Sequence, residues 1–241
     1  MKNVADSGAK WLDVPAERFP GWISAFARRH GDPGSLGTAL DGGAVAFTAP
    51  DGAVARCHPP FVESFAPPPE LAGPDAIAAE ITAHAQLPRA VGVLLVRLGG
   101  YAAGVFTGYP PALADAKVGS RLVHGRSAAG GWSQHRFARR REKQANEALD
   151  AAADTAALVF GRWTSGTTAS YASVRGGRLD AVVLGGDKRA MAGLRGDPRL
   201  APYLALATER FLTVPDPKRA VLEGVPRLFT AIRIRLTEPP A

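Results

Sequence analysis

The sequence predicts a mixed-sheet α/β domain from about residue 73 to the end, preceded by a small helix and β-meander region over residues 1–72. Three observations predict it. Two apolar runs, Arg89–Arg97 and Tyr101–Thr107, flank Leu98-Gly99-Gly100 and read as a hairpin. A long helical pattern opens at Ser133, with Leu149, Ala152, Ala153, Ala156 and Val159 on one stripe. The apolar run Leu179–Leu184 passes through Gly185-Gly186-Asp187 into a helix over 188–194, which is a strand, a turn and a helix with Asp187 as N-cap.

The remaining elements follow in order. Residues 15–29 predict a helix, because Phe19, Trp22, Ile23 and Phe26 recur at 3–4 spacing and Gly31-Asp32-Pro33-Gly34 stops the pattern. Short runs at 38–40, 44–48 and 53–57, separated by Asp41-Gly42-Gly43 and Asp51-Gly52, predict a tight meander. Pro59-Pro60 and Pro67-Pro68-Pro69 predict a linker. Residues 74–86 predict a helix with Pro74 in its first turn. Leu113–Lys117 and Ser120–His124 predict two short strands or one bulged at Gly119. Residues 210–214 predict a strand and 218–223 a short helix. Thr230–Leu236 predicts a half-exposed strand, because it alternates.

Composition narrows the function. At 241 residues with a hydrophobic fraction of 46%, the chain can bury a core, and no stretch is apolar enough to span a bilayer. The first residues, MKNVADSGAKWLDV, lack an apolar signal region, so a cytoplasmic protein without a membrane partner is expected. The single cysteine, Cys57, excludes a disulfide framework and a cysteine-based zinc cluster and is expected to be a small buried or half-buried side chain. No histidine or carboxylate cluster has metal-ligand spacing, so no metal is expected. Without a coiled-coil heptad, a monomer is expected.

Charge is the informative property. The formal net charge is +7, and all of it falls within Lys117–Gln144. That segment holds Lys117, Arg121, Arg126, Arg136, Arg139, Arg140, Arg141 and Lys143 against Glu142 alone. Local charge density of this kind is what a phosphate backbone feels. Arg136, Arg139, Arg140 and Lys143 would share a helix face, where they repel one another. They also lie in the first turns, where the helix dipole disfavours cations. The arrangement costs the free protein stability and suits a polyanionic partner.

Within the basic block sits an almost uncharged tip, Ser127 to Gln134. Gly130 and Gly131 permit positive φ and close backbone approach. Gln134 has no useful pKa, but its amide accepts through oxygen and donates through nitrogen, so it can hold a water molecule. Trp132 either packs onto the following helix or stacks on a nucleotide base. Ser133 and His135 flank Gln134 without facing each other and make no nucleophile–base pair. His124 at a strand end reads as structural, with a base or a phosphate contact as the alternative. Gly185-Gly186-Asp187 lacks the further residues of a phosphate-binding loop and reads as a structural turn. A nuclease would need carboxylates converging on metal ions, and Asp115, Asp180 and Asp187 are scattered.

A glycine-containing tip ending in Gln, inside basic arms, resembles the catalytic domain of eukaryotic-type peptide release factors. The closer resemblance is to the Vms-type release-factor and peptidyl-tRNA hydrolase family, in a bacterial branch. Arg126, Gly130-Gly131, Gln134, Arg140-Arg141 and Asn146-Glu147 carry it, with the 91–108 hairpin and the 182–194 strand-turn-helix. The usual triplet is Gly-Gly-Gln or Gly-Ser-Gln, sometimes with one residue between; here Trp132 and Ser133 intervene and enlarge the loop, which spans about 125–135. The resemblance covers about residues 73–241 and implies an RNase H-like fold. It implies that the loop enters the large ribosomal subunit, where Gln134, with Gly130, Gly131 and Arg126, positions water on peptidyl-tRNA. Arg121, Trp132, Arg136, Arg139, Arg140, Arg141 and Lys143 would then hold rRNA or tRNA. The competing expectation is a ribosome-associated RNA-binding protein without catalysis.

Overall fold

A computed structural model describes residues 9–66, 73–97, 99–120, 133–165 and 177–239. The chain divides into two compact units. The first comprises residues 1–87 and 227–241, and the second is residues 88–226, inserted between them.

The first unit is built on a five-stranded antiparallel sheet. Its strands are β1 (Lys10–Val14), β2 (Gly37–Asp41), β3 (Ala44–Thr48), β4 (Val54–His58) and β10 (Ile232–Thr237), in the order β1-β10-β4-β3-β2. The meander forms as expected. Gly42 and Gly43 both take positive φ, 55° and 84°, as the two-residue hairpin between β2 and β3 requires. Helix α1 (Phe19–His30) and helix α2 (Pro74–Ala85) belong to this unit. Phe19, Ile23 and Phe26 of α1 and Ile77, Ala78 and Ile81 of α2 bury against Val45, Phe47, Cys57, Ile232 and Ile234 of the sheet. Cys57 is fully buried, and burial pushes its thiol far above the ordinary range.

Two elements of the first unit differ from expectation. Strand β1 is absent from the sequence reading, because KWLDV is short and only its last residue is buried. The sequence reading also drew its line at 72/73, whereas α2 and β10 pack in the first unit. β10 alternates buried and half-buried residues as expected, but its partners are β1 and β4, far away in sequence. Periodicity reports which face of a strand is apolar and carries no information about which sheet receives it.

The second unit is a mixed five-stranded sheet, ordered β7-β6-β5-β8-β9. Strands β5 (Arg89–Arg97), β6 (Gly100–Gly108) and β7 (Ala112–Ser120) form an antiparallel meander. Strand β8 (Ala181–Gly186) is parallel to β5, and β9 (Ala207–Leu212) is parallel to β8. Counted from β5, the order is 3-2-1-4-5, with the second strand antiparallel to the rest. Central β5 is buried from Ala90 to Val96, which is why it reads as one apolar run. Helix α3 (Ser133–Thr164) covers one face, packing Ala152, Ala153, Ala156, Val159 and Phe160 onto Leu94, Val96, Ala103, Val105 and Val182. Small alanines let helix and sheet approach closely. On the other face Leu222 lies against Gly104, where a Cβ would come within 3.1 Å.

Three boundaries moved. β7 runs through Gly119 to Ser120, with its register shift opposite Val105 and Phe106 rather than at the glycine, and the rest of the strand predicted at 120–124 lies outside the described residues. β8 starts at Ala181 and continues into Gly186, because the glycines fit a space that a side chain could not. A Cβ on Gly185 would stand 2.8 Å from the Leu212 carbonyl oxygen. β9 overlaps the strand predicted at 210–214 but starts three residues earlier and ends at Leu212, where its pairing with β8 stops. The Ser133 helix extends to Thr164, and helix α4 (Lys188–Leu194) lies where expected. Asp187 caps it, accepting hydrogen bonds from the backbone N–H groups of Arg189 and Ala190 at 2.7 and 3.2 Å. The short helices α5 (Ala201–Leu204) and α6 (Arg219–Gly224) complete this unit, and α7 (Pro226–Phe229) leads into β10.

Candidate nucleic-acid interface

The basic segment begins on β7 and ends on α3. Lys117 lies on β7, which is the edge strand and has no buried residue. Arg121, Arg126, Gly130, Gly131 and Trp132 lie outside the described residues, as does His124. Gln134 is the second residue of α3, and Arg136, Arg139, Arg140, Arg141 and Lys143 follow it on the same helical backbone. Lys143 is largely exposed, at 78%, and approaches Glu147 at 3.9 Å, one turn further on.

The described part of α3 has two characters. From Lys143 to Glu147 no side chain is buried. Buried side chains start at Ala148 and continue to Trp163. Ser133 therefore precedes the first of these by fifteen residues, or about 22 Å of helix axis. The first turn of any helix leaves backbone N–H groups without intrahelical acceptors. Its dipole adds to their positive field, and both favour an anion.

The docked end is held by polar interactions as well as apolar ones. Arg162 donates from Nε and Nη2 to the two carboxylate oxygens of Asp115 on β7, at 3.0 and 2.8 Å. Trp163 donates its indole N–H to the Arg178 carbonyl oxygen at 3.4 Å. Arg199 bridges Asp154 of α3 and Asp197, and the guanidinium holds the Asp197 carboxyl below the usual range. β7 and α3, the two elements that enter and leave the basic segment, are thus tied directly to each other. Sequence reasoning did not find the Arg162–Asp115 pair. Forty-seven residues separate its members, and only the packing of α3 on β7 joins them.

The scattered acids have structural tasks. Asp115 holds Arg162. Asp180 accepts the Ala90 N–H at 2.8 Å, bridging β5 to the start of β8. Asp187 caps α4. Among the described residues no group of three histidines, cysteines or carboxylates is placed to hold a metal ion. No described helix is long and apolar enough to cross a membrane. Gly186 (φ 104°) makes a turn packed against the Val96 backbone, and Asp187 N–H donates to the Val96 carbonyl oxygen at 2.7 Å.

Comparison with known proteins bears on the same region. No protein of curated function matches the chain. Among solved structures, the crystal structure of an archaeal translation termination factor, aRF1, aligns at 11% identity. That alignment covers 93% of this chain and 67% of that one, with a TM-score of 0.39. A second, described as an archaeal protein, aligns at 12% identity over 90% of this chain and 63% of that one, with a TM-score of 0.32. The chain spans about two thirds of the length of either. The family match is the decisive one. The family described as the Actinobacteria/Chloroflexi VLRF1 release factor, acVLRF1, matches residues 89–235. That span takes in the whole second sheet, α3 and most of β10, more than half of the chain. The protein belongs to the Vms/VLRF1-type release-factor family.

Proposed function

We propose that this protein is a ribosome-associated peptidyl-tRNA hydrolase that frees nascent peptides from stalled large-subunit complexes. One observation carries the reading. The net positive charge is confined to residues 117–144, and α3, which bears the C-terminal part of that segment from Ser133 on, is docked by its other end. A helix anchored at its C-terminal half and charged at its N-terminal half is suited to reach into an RNA-lined cavity. Family membership makes the large subunit the cavity of choice. The 3-2-1-4-5 strand order supports an RNase H-like description of the second unit.

In this reading Gln134 and the backbone of Gly130 and Gly131 enter the peptidyl-transferase centre. The Gln134 amide holds a water molecule against the ester carbonyl of peptidyl-tRNA. The water oxygen bonds to the carbonyl carbon, and the bond to the tRNA ribose oxygen breaks. One water proton passes to that ribose oxygen through its surroundings. Positioning of this kind is worth several orders of magnitude in rate without a titrating base. Arg121, Arg126, Arg136, Arg139, Arg140, Arg141 and Lys143 neutralise rRNA or tRNA phosphates, and Trp132 stacks on a base. The protein acts as a cytoplasmic monomer and needs no cofactor.

The test uses the purified full chain and large subunits carrying peptidyl-tRNA, scored for ester cleavage and for binding. Gln134→Ala is expected to bind and not to cleave. Equal cleavage by Gln134→Ala would remove this residue from the mechanism. Binding without cleavage by the unaltered chain would assign the non-catalytic RNA-binding reading instead.

A further inference from the structure

The face of the first sheet turned away from its core carries a group of residues unrelated to the basic segment. On β1, Trp11 is 46% exposed, an unusual position for an indole. Directly across from it on β10 stands Arg235, and directly across from Arg235 on β4 stands Arg56. The next residues on this face are Arg233 and His58, which are also opposite each other. The Arg233 guanidinium lies over the Trp11 ring, 4.4 Å from its centroid. The His58 ring is 5.5 Å from Trp11 and tilted by 43°. Trp11, Arg56, His58 and Arg235 line a shared depression of about 610 Å³. Asp41, which also lines it, pairs with Arg56.

One feature marks this face as more than solvated surface: the flat faces of an indole, an imidazole and a guanidinium are gathered in one place. Bases stack on such faces, and arginines placed between them take phosphates. An acidic peptide would use the arginines but has no need of the indole.

We propose that this face binds single-stranded RNA, with a base stacked on Trp11 and the adjoining phosphates held by Arg235, Arg56 and Arg233. It is a second RNA-binding surface, within the first unit, and it does not depend on Gln134 or on the basic segment.

The test is photocrosslinking of the full chain to a ten-nucleotide uridine RNA containing 4-thiouridine, with adducts mapped by peptide. Adducts are expected on the Trp11 or His58 peptides as well as in 117–144. Trp11→Ala should abolish the former, spare the latter, and weaken binding at that face about five- to a hundredfold. Trp11→Phe should retain both adduct and affinity. Arg235→Gln, which leaves the ring in place, should weaken the same adduct, and thermal unfolding confirms that each variant folds. Adducts confined to 117–144, or an undiminished Trp11-side adduct in folded Trp11→Ala, would overturn the proposal. So would displacement of the RNA from the Trp11 face by a ten-residue polyglutamate as effective as unlabelled RNA, which would assign the face to an acidic protein.

Discussion

Arg162 and Asp115 join the last turns of α3 to the edge strand β7 through two parallel hydrogen bonds of 3.0 and 2.8 Å. The carboxylate is largely covered, with 12% of its side chain exposed, and the guanidinium is 39% exposed. The bidentate geometry favours the pair, while partial exposure screens it. Arg162→Ala is expected to cost about 1–2 kcal/mol in urea unfolding, and Asp115→Ala about the same. In a double-mutant cycle the two should couple rather than add. Additive losses would show that the pair contributes nothing as a pair. Because β7 and α3 also bracket the basic segment, either variant should lower peptide release if that segment must be aimed.

The turn after β8 offers a graded comparison. Asp187→Ala removes the cap of α4 and should cost about 1 kcal/mol. Gly186→Ala should cost more, about 2–3 kcal/mol. Its φ is 104°, and a Cβ would stand 2.1 Å from the Val96 carbonyl oxygen, a backbone atom that cannot swing aside. Chemical denaturation at constant pH checks the order. A milder effect at Gly186 than at Asp187 would mean that the β5–β8 junction relaxes.

Salt dependence reports on the arginines. Replacing Arg139, Arg140 and Arg141 with alanine should weaken binding to large subunits and flatten log Kd against log salt. The expected change is about 0.7 to 0.9 of a slope unit for each phosphate that the variant no longer neutralises. Binding titrations between low and moderate salt measure it. An unchanged slope would place these three side chains away from RNA.

Acid should destabilise the first unit in two windows. Burial, and then the Arg233 charge, hold His58 below the ordinary imidazole pKa of 6.5; Arg56 and Arg235 act in the same direction and Asp41 opposes them. Between its folded pKa and 6.5 the unfolded chain binds more protons, so stability rises with pH through that window and levels off above it. His58→Gln should remove this part of the slope, which urea unfolding at pH 5 and pH 7.5 would show. Asp51 behaves oppositely in origin but not in sign. The Ala53 N–H and then His30 hold its carboxyl below 3.8, so its contribution is present above 3.8 and is lost as pH falls through the lower folded value.

Much of this protein was legible in its sequence wherever local physics decides. The stripe on α1, the glycine turn between β2 and β3, the β5–β6 hairpin, the Asp187 cap and the alanine face of α3 all follow from spacing within a dozen residues. The confinement of charge to 117–144 is read by counting alone, and the helical pattern opening at Ser133 puts Gln134 at the head of a long helix. Tertiary structure alone decided what depends on distant partners. It drew β10 into the first sheet between β1 and β4, made a strand of weakly apolar KWLDV, and ended β9 where its pairing with β8 stops. It also set Asp115 against Arg162, and Trp11 beside Arg233 across more than two hundred residues. Hydrophobic period shows which side of an element must be covered, whereas the partner that covers it is chosen by the shape and register of the whole sheet.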